Sequence, residues 1–155
     1  MNFKPAMTSP EELAAKLPRY KSVTEFMVPV NLLISFRADQ PIREVIDTII
    51  DEGISGGPVL DEQKKLIGII SEKDCLRLLV DEAYHNLPAS TRRVSDYMSR
   101  NVQTLTPAAD VVEAANAFLN SPVRRLPIVD QGKLVGQVSR RDILKAAQEL
   151  ARTSW

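Results

Sequence analysis

The sequence predicts a mixed α/β fold in which two β-α-β-β-α units pack on each other about a pseudo-two-fold axis. An internal repeat is the first observation, because the apolar strands that begin at Pro58 and Pro127 match at an offset of 69 residues. The second is the motif Gly-x-x-Ser-x-x-Asp, which runs from Gly68 to Asp74 and again from Gly136 to Asp142. The third is size: one unit of roughly 60 residues buries too little surface to be comfortably stable, which favours a shared core.

Each unit is predicted to open with a short helical turn, followed by a strand and a helix. The segments Val23–Met27 and Val94–Met98 share a pattern that ends in acid-aromatic-methionine. Apolar residues then recur at the i, i+3, i+4, i+7, i+8 spacing of an amphipathic helix, which predicts helices over 41–52 and 108–119. Gly53 follows the first of them and is expected to end it in a left-handed conformation.

Two differences between the units concern their loops. The segment from Met27 to Ser35 contains Pro29 and has two more residues than the segment from Met98 to Thr104, so the first pocket is expected to differ in shape. The turn between the two later strands is one residue shorter in the second unit. Each unit is predicted to end with a helix.

These paired motifs resemble a tandem pair of cystathionine-β-synthase (CBS) domains, called a Bateman module. The resemblance rests on the two acid-aromatic-methionine segments, the two Pro-apolar-apolar-acid strands of which Pro127–Asp130 is one, and the two Gly-x-x-Ser-x-x-Asp motifs. It implies a leader with a short helix at 1–21, repeats at 22–82 and 94–150, a connector at 83–93 and a tail at 151–155 that ends in Trp155.

Composition narrows the class of protein. With 20 basic and 20 acidic residues the net charge is zero, which does not indicate a general affinity for nucleic acid, and no apolar run or signal pattern predicts membrane insertion. Cys75 is the only cysteine, which excludes an intrachain disulfide and favours a cytoplasmic location, and we expect it to be a small apolar residue. His85 is the only histidine and lacks partners at metal-ligand spacing. Residues 87–155 carry a net charge of +4 and residues 1–86 a net charge of −4. This asymmetry is either an incidental difference in surface composition or positive charge that the second repeat supplies for an anionic ligand.

The Ser-x-x-Asp segments allow two interpretations. Ser71 and Ser139 can each cap a helix while Asp74 and Asp142 reach back, as in a capping box. Alternatively, the helix start can receive a phosphate while the aspartate binds a ribose. The two roles are compatible, since the serine can cap the helix while the aspartate faces a cleft.

The resemblance to CBS pairs implies residue roles. Asp74 and Asp142 would bind ribose, and Ser71 and Ser139 would lie beside the phosphates. Candidates for the walls of the adenine pocket include Val102, Thr104, Ile128, Ser35 and Val59, each of which is also an ordinary core or strand residue. Arg124 and Arg125 would face the phosphates, or else occupy an exposed turn without a partner; the first repeat has Ser55 and Gly56 there.

The function expected from the resemblance is that of a stand-alone regulatory module. It would bind an adenosine nucleotide (AMP, ADP or ATP) as a regulatory ligand rather than a catalytic cofactor, act on a separate protein and form a homodimer through its long helices. The alternative is a scaffold that needs no ligand. An enzyme fits least, because no nucleophile–histidine pair, Walker loop or metal cluster is present in the sequence. The residues do not distinguish adenine mononucleotides from NAD, S-adenosylmethionine or a cyclic dinucleotide.

Overall fold

The structure is a computed structural model that describes residues 20–88 and 91–153. The helix predicted after Ser9 and the terminal Trp155 lie outside these residues. In the first repeat the order is a 3-10 turn (Val23–Glu25), β1 (Val28–Pro29), a second 3-10 turn (Val30–Leu32), β2 (Phe36–Arg37), α1 (Ile42–Glu52), β3 (Gly56–Leu60), β4 (Leu66–Ser71) and α2 (Glu72–Tyr84). The second repeat comprises α3 (Val94–Tyr97), α4 (Val111–Leu119), β5 (Arg125–Asp130), β6 (Lys133–Ser139) and α5 (Arg140–Thr153).

The mixed α/β class is confirmed, and the helix-strand-strand-helix order recurs in both repeats. The strand predicted before each long helix differs: it is β2 in the first repeat, and in the second it is reduced to the bridge between Leu105 and Ile128. Gly53 ends α1 at φ 63°, with its N–H bonded to the carbonyl of Ile49, as the sequence predicts. The predicted start of α4 at residue 108 is wrong, because Asp110 caps that helix: its carboxylate accepts from the N–H of Glu113 at 2.9 Å, and the Glu113 carboxylate accepts from the N–H of Asp110 at 3.1 Å. Such a reciprocal box sets the first helical residue at Val111.

The strands form two three-stranded sheets that exchange their first elements. One sheet has the order β1-β6-β5, so a strand of the first repeat completes the sheet of the second. The other has the order β2-β3-β4, and Ser99 of the second repeat is bridged to Ile69 on β4. The sequence analysis predicted neither this exchange nor the separate strand β1, although it did predict the strand pairs that form β3 with β4 and β5 with β6.

Backbone hydrogen bonds repeat across the pseudo-two-fold axis. The N–H of Val23 donates to the carbonyl of Ala109 at 2.8 Å, and the matching N–H of Val94 donates to Gln40 at 3.0 Å. Beside the axis, the N–H of Leu66 donates to the carbonyl of Gly132 at 3.0 Å. The two repeats are therefore joined through main-chain groups as well as side chains.

The repeated glycines and methionines are explained by this exchange. A Cβ on Gly68 would lie 2.9 Å from Sδ of Met98, and a Cβ on Gly136 would lie 2.8 Å from the carbonyl oxygen of Val28 and against Sδ of Met27. Each methionine therefore packs on the glycine of the other repeat, where no larger residue fits.

The core consists of two clusters, and each draws on both repeats. Val23 is fully buried among residues of the second repeat, including Leu126, Ile128 and Val138. Val94 is correspondingly fully buried among residues of the first repeat. In the part of the chain that the structure describes, no helix combines the length and apolar character needed to cross a membrane.

Candidate functional site

The two Ser-x-x-Asp segments lie where β4 and β6 end and where α2 and α5 begin. The N–H and Oγ of Ser71 both donate to Oδ2 of Asp74 at 2.9 Å, and the N–H of Asp74 donates to Oγ of Ser71 at 3.2 Å. In the second repeat the N–H of Ser139 donates to Oδ2 of Asp142 at 2.8 Å, and the N–H of Asp142 donates back to Oγ of Ser139 at 3.2 Å. The capping box predicted from sequence is present in both repeats.

Capping uses only one oxygen of each carboxylate. Among residues 20–88 and 91–153, the hydrogen bonds to Asp74 and Asp142 reach Oδ2, and none reaches Oδ1. Both residues are half-buried, and Oδ1 of each is an acceptor that no hydrogen bond within those residues uses. A carboxylate in this state can cap its helix and still accept a hydrogen bond from a ligand hydroxyl.

The register brings several predicted site residues to one end of each sheet. Arg125 pairs with Ser139 in the β5–β6 ladder. Leu105 runs parallel to Ile128, so Thr104 lies toward the same end as Arg125, where α5 begins. In the other sheet, Phe36 of β2 pairs in parallel with Val59 of β3. Ser35, which precedes Phe36, therefore lies toward the end of that sheet where α2 begins.

Two segments cross from one sheet to the other. The first crossing segment, residues 28–35, is paired with β6 at Val28 and continues into β2, which pairs with β3. The second crossing segment, residues 99–104, is bridged to β4 at Ser99 and leads to Leu105, which is bridged to β5. We call the space bounded by these segments and the two Ser-x-x-Asp helix starts the cleft. The two extra residues of the first crossing segment accompany the 3-10 turn Val30–Leu32.

The two ends of the cleft differ in charge. Arg124 and Arg125 are exposed, and no hydrogen bond or ion pair within the described residues engages their guanidinium groups. The position of Arg125 is taken in the first repeat by Gly56, which has φ 146° and whose Cβ would lie 2.8 Å from Cα of Ser71. Consequently the first repeat has no room for a basic side chain there.

The predicted apolar walls divide into buried and accessible residues. Val59 and Ile128 have no exposed surface, and their side chains pack in the two separate core clusters. Val102 is half-buried, whereas Ser35 and Thr104 are exposed. The accessible candidates are thus Val102, Ser35 and Thr104, and a ligand role stays a prediction for all five residues.

One contact at the site was not anticipated from sequence. Nη2 of Arg140, the first residue of α5, donates to the carbonyl of Val123 at 3.1 Å. This bond holds the loop that carries Arg124 against the start of the helix. Consecutive basic residues at a helix start are unfavourable to its dipole, and this mismatch marks Arg140 and Arg141 in the sequence, although it does not predict the bond to Val123.

Two shallow hollows on the surface lie away from the cleft. One is lined by Arg43, Glu82 and residues 86–88. The other, on the outer face of α5, is lined by Arg141, Leu144, Lys145, Gln148 and Glu149. Among the described residues, no group of three or more histidine, cysteine, aspartate or glutamate side chains is arranged to hold a metal ion.

Comparison with known proteins identifies the fold. The model of the CBS domain family matches residues 23–81 and again residues 94–149. The chain belongs to the CBS domain family. It is 31% identical over 156 residues to the CBS domain-containing protein CBSX1, chloroplastic, of Arabidopsis thaliana, covering 85% of this chain and 66% of that protein.

A second relative and a solved structure extend the comparison. The CBS pair is 34% identical over 114 residues to inosine-5′-monophosphate dehydrogenase of Aquifex aeolicus, covering 72% of this chain and 22% of that enzyme. The crystal structure of CBSX2 in complex with AMP superposes with a TM-score of 0.74 at 28% identity, covering 84% of this chain and 98% of the other. The chain thus spans less than two thirds of both curated relatives, whereas it matches nearly the whole of the CBSX2 chain.

Proposed function

We propose that this CBS pair is a regulatory module that binds an adenosine nucleotide, AMP, ADP or ATP, in the cleft and acts on a separate protein. In this proposal Asp142 binds the ribose through Oδ1, Ser139 lies beside the phosphates, and Arg124 and Arg125 neutralise the phosphate charge. Thr104 and Val102 on the second crossing segment border the adenine. Asp74 and Ser71 form a second site of the same plan.

The observation that carries the proposal is the arrangement at the start of α5. A half-buried carboxylate with one unused oxygen lies at the same sheet end as two guanidinium groups that have no partner within the described residues. An acceptor for sugar hydroxyls beside cations for phosphate is the chemistry that a nucleotide requires. The likeness to CBSX2, whose structure contains AMP, supports the same ligand class.

We propose that the site at Asp142 binds more tightly than the site at Asp74. Gly56 excludes a cation beside Ser71, and the first crossing segment carries the additional 3-10 turn. Phosphate at the first site would therefore lack the charge that Arg125 supplies at the second.

A ligand-independent scaffold is the alternative, and one observation favours it. The Ser-x-x-Asp pairs in both repeats form complete capping boxes. Stabilising the helix starts is therefore a sufficient role for these residues without any ligand. The two proposals differ in what Asp142 does for binding.

The experiment replaces Asp142→Asn, which keeps an acceptor for the N–H of Ser139 but removes the charge and one acceptor for ribose. Asp96→Asn is the matched control, because Oδ2 of Asp96 accepts from the N–H of Arg93 at 2.8 Å in the same capping position of α3. We expect titration calorimetry to show AMP affinity roughly ten- to a hundredfold weaker for Asp142→Asn, the loss of about 1.4–3 kcal/mol of charge-assisted hydrogen bonding. The control should bind AMP as the unaltered protein does. Equal AMP affinity in all three proteins would leave Asp142 as a cap and favour the scaffold.

We further propose that the protein is a homodimer, that it acts in the cytoplasm and that it binds rather than transforms its ligand. Exposed aliphatic side chains on the helices, Ile50 and Leu119 among them, support self-association. The region shared with inosine-5′-monophosphate dehydrogenase is 22% of that enzyme and gives no ground for assigning its reaction to this chain.

A further inference from the structure

The outer face of α5 carries an exposed leucine between charges of opposite sign. Leu144 is 67% exposed and lies in the shallow hollow on this helix. Arg141 and Lys145 line the end of the hollow nearer the start of α5, and Glu149 lines the other end. Because residues four apart on a helix lie on one face, these charged side chains form a stripe that changes from positive to negative along α5.

The main chain enters the described part of the molecule beside this hollow. Nζ of Lys21 donates to Oε2 of Glu149 at 3.2 Å. The carbonyl of Lys21 accepts from the N–H of Val111 at 3.1 Å, which fixes the main chain at this point. The residues that precede Lys21 are therefore attached to the body at the negative end of the hollow.

The sequence just before Lys21 has a pattern complementary to the hollow, and we call residues 9–19 the leader segment. Leu13 and Leu17 are four residues apart, so the helix predicted after Ser9 would present both on one face. The charged residues of the leader segment change from acidic at its start to basic at its end: Glu11, Glu12, Lys16 and Arg19.

The lengths of the leader segment and of the hollow agree. A helix rises about 1.5 Å per residue, so the stripe from Arg141 to Glu149 is about 12 Å long, as is a helix over residues 10–17. The three residues that lead from Pro18 to Lys21 span at most about 10 Å, which is enough to join the end of such a helix to Lys21. With its end near Glu149, the leader segment has its acidic start near Arg141.

We propose that the leader segment docks along the outer face of α5, with Leu13 and Leu17 against Leu144. In this orientation the acidic residues of the leader segment face Arg141 and Lys145, and its basic residues face the negative end of the hollow. Burial of the leucines stabilises the contact, while the opposite charges set its direction. The proposal does not depend on a nucleotide, because none of these residues is assigned to the cleft.

Alkylation of an introduced thiol in the full chain tests the docking. In a Cys75→Ser background, Gln148→Cys places a thiol in the hollow and retains Leu144. Val80→Cys is the matched control, because it places a thiol at the corresponding exposed position of α2. Leu13→Ala with Leu17→Ala then removes the apolar contact from the leader segment.

We expect the leucine substitutions to speed alkylation by iodoacetamide about tenfold at position 148, since a docked segment allows reaction only while it is open. The rate at position 80 should not change. The difference at position 148 should be the same at all protein concentrations, because the contact lies within one chain. Glu11→Gln with Glu12→Gln should speed the same reaction by a smaller factor, and raised salt should act on the unaltered leader segment in the same way.

Three results would overturn the docking. One is an unchanged rate at position 148 when both leucines are replaced. Another is an equal increase at positions 148 and 80, which would indicate general loosening of the fold. The third is protection at position 148 that persists without the leucines and grows with protein concentration, which would identify a second copy of the chain as the occupant of the hollow.

Discussion

Arg125 and Gly56 occupy matching positions, and this single difference makes the two ends of the cleft chemically unequal. Gly56 at φ 146° lies too close to Ser71 for any side chain, whereas Arg125 in the second repeat brings a cation beside Ser139. Both ends retain the aspartate with its unused Oδ1. Under the proposed function, ribose would be recognised in both repeats, whereas phosphate would be recognised only in the second.

The phosphate role can be tested by replacing both arginines, Arg124→Ala with Arg125→Ala. AMP should bind roughly ten- to a hundredfold more weakly, the equivalent of one or two charge-assisted contacts, while adenosine, which has no phosphate, should bind almost as before. Raising the salt concentration should reduce the preference of the unaltered protein for AMP, since exposed ion pairs are screened. The measurement is titration calorimetry with both ligands.

The matched control is Lys64→Ala with Lys65→Ala, which removes the same charge from an exposed turn. It should leave both affinities unchanged. Equal losses of AMP and adenosine in the arginine variant would show that phosphate is not what these residues bind.

Tyr97 distinguishes the repeats in a second way. Its side chain is only 4% exposed, its hydroxyl donates to Oδ2 of Asp81 at 2.5 Å, and Nε of Arg92 donates to that hydroxyl at 3.3 Å. The network joins the end of α2 to the start of the second repeat. The other repeat has Phe26 at this position, and an exposed Lys21–Glu149 ion pair of 3.2 Å takes the place of the network.

Burial, followed by the hydrogen bond to Asp81, raises the pKa of Tyr97 above its ordinary value of about 10. Because the pKa is raised in the folded state, the unfolded chain releases the Tyr97 proton at lower pH than the folded chain does. The contribution of Tyr97 to the free energy of unfolding is therefore complete below about pH 10, and it is lost as the pH rises through the folded-state pKa. Tyr97→Phe should lower the free energy of unfolding by about 1–2 kcal/mol at neutral pH. Between neutral and alkaline pH, the free energy of unfolding should fall less for this variant than for the unaltered protein. Urea unfolding at several pH values measures both effects.

Tyr84→Phe makes the same chemical change on a side chain that is 81% exposed, and it should alter neither stability nor its pH dependence. If Tyr97→Phe behaved like Tyr84→Phe, the hydrogen bond to Asp81 would contribute nothing to stability.

The pKa of Cys75 is also raised: burial, then Asp74 and Glu72, raise the pKa of its thiol to about 11. Its thiol is therefore not ionised at neutral pH, in agreement with the small apolar residue expected from sequence.

At the scale of elements, the exchange of first strands accounts for the repeated glycines. Gly136→Ala would place a methyl group 2.8 Å from the carbonyl oxygen of Val28 and against Met27, which forces β1 away from β6. Overpacking of this kind costs about 1–3 kcal/mol, and the backbone oxygen cannot move aside as a side chain could. We expect this loss in urea unfolding.

Gly53→Ala is the comparison, because a Cβ there meets nothing within 4 Å and only the left-handed backbone at φ 63° is strained. That strain costs about 1–2 kcal/mol. The loss of stability in the double variant Gly136→Ala with Met27→Ala should be smaller than the sum of the two single losses. For Gly53→Ala with Met27→Ala, the two single losses should simply add. No recovery in the first pair would mean that Met27 does not limit the space.

The helices and most strands could be predicted from sequence because the spacing of their apolar residues places those residues on one face, and that face is buried. The exchange could not, because β1 has two residues and nothing local to them specifies which sheet they join. For the same reason the site was predicted only in part. The capping geometry of Ser139 and Asp142 follows from their spacing, whereas Ile128 belongs to an apolar strand whose pattern does not say whether a side chain faces the core or the cleft.

For the whole molecule, each core cluster depends on the other repeat, so we predict that neither half folds alone. Residues 1–86 expressed separately should show no cooperative unfolding transition in urea, since Val94 and its neighbours are missing from the first cluster. The full chain provides the reference transition. A cooperative transition from the isolated half would contradict the interdependence of the clusters.

The reciprocal strand pairing also says something about how such a chain could arise. A polypeptide with a single repeat would have the same unpaired strand edges and the same vacant groove over its glycine, and a second copy of itself would satisfy both. Its folding would then depend on protein concentration, as in an obligate dimer. Joining the copies by a short connector replaces that encounter with an intramolecular one at an effective concentration on the order of millimolar. Duplication within one chain thereby makes folding independent of dilution, and it frees the two copies to diverge, as Gly56 and Arg125 have done.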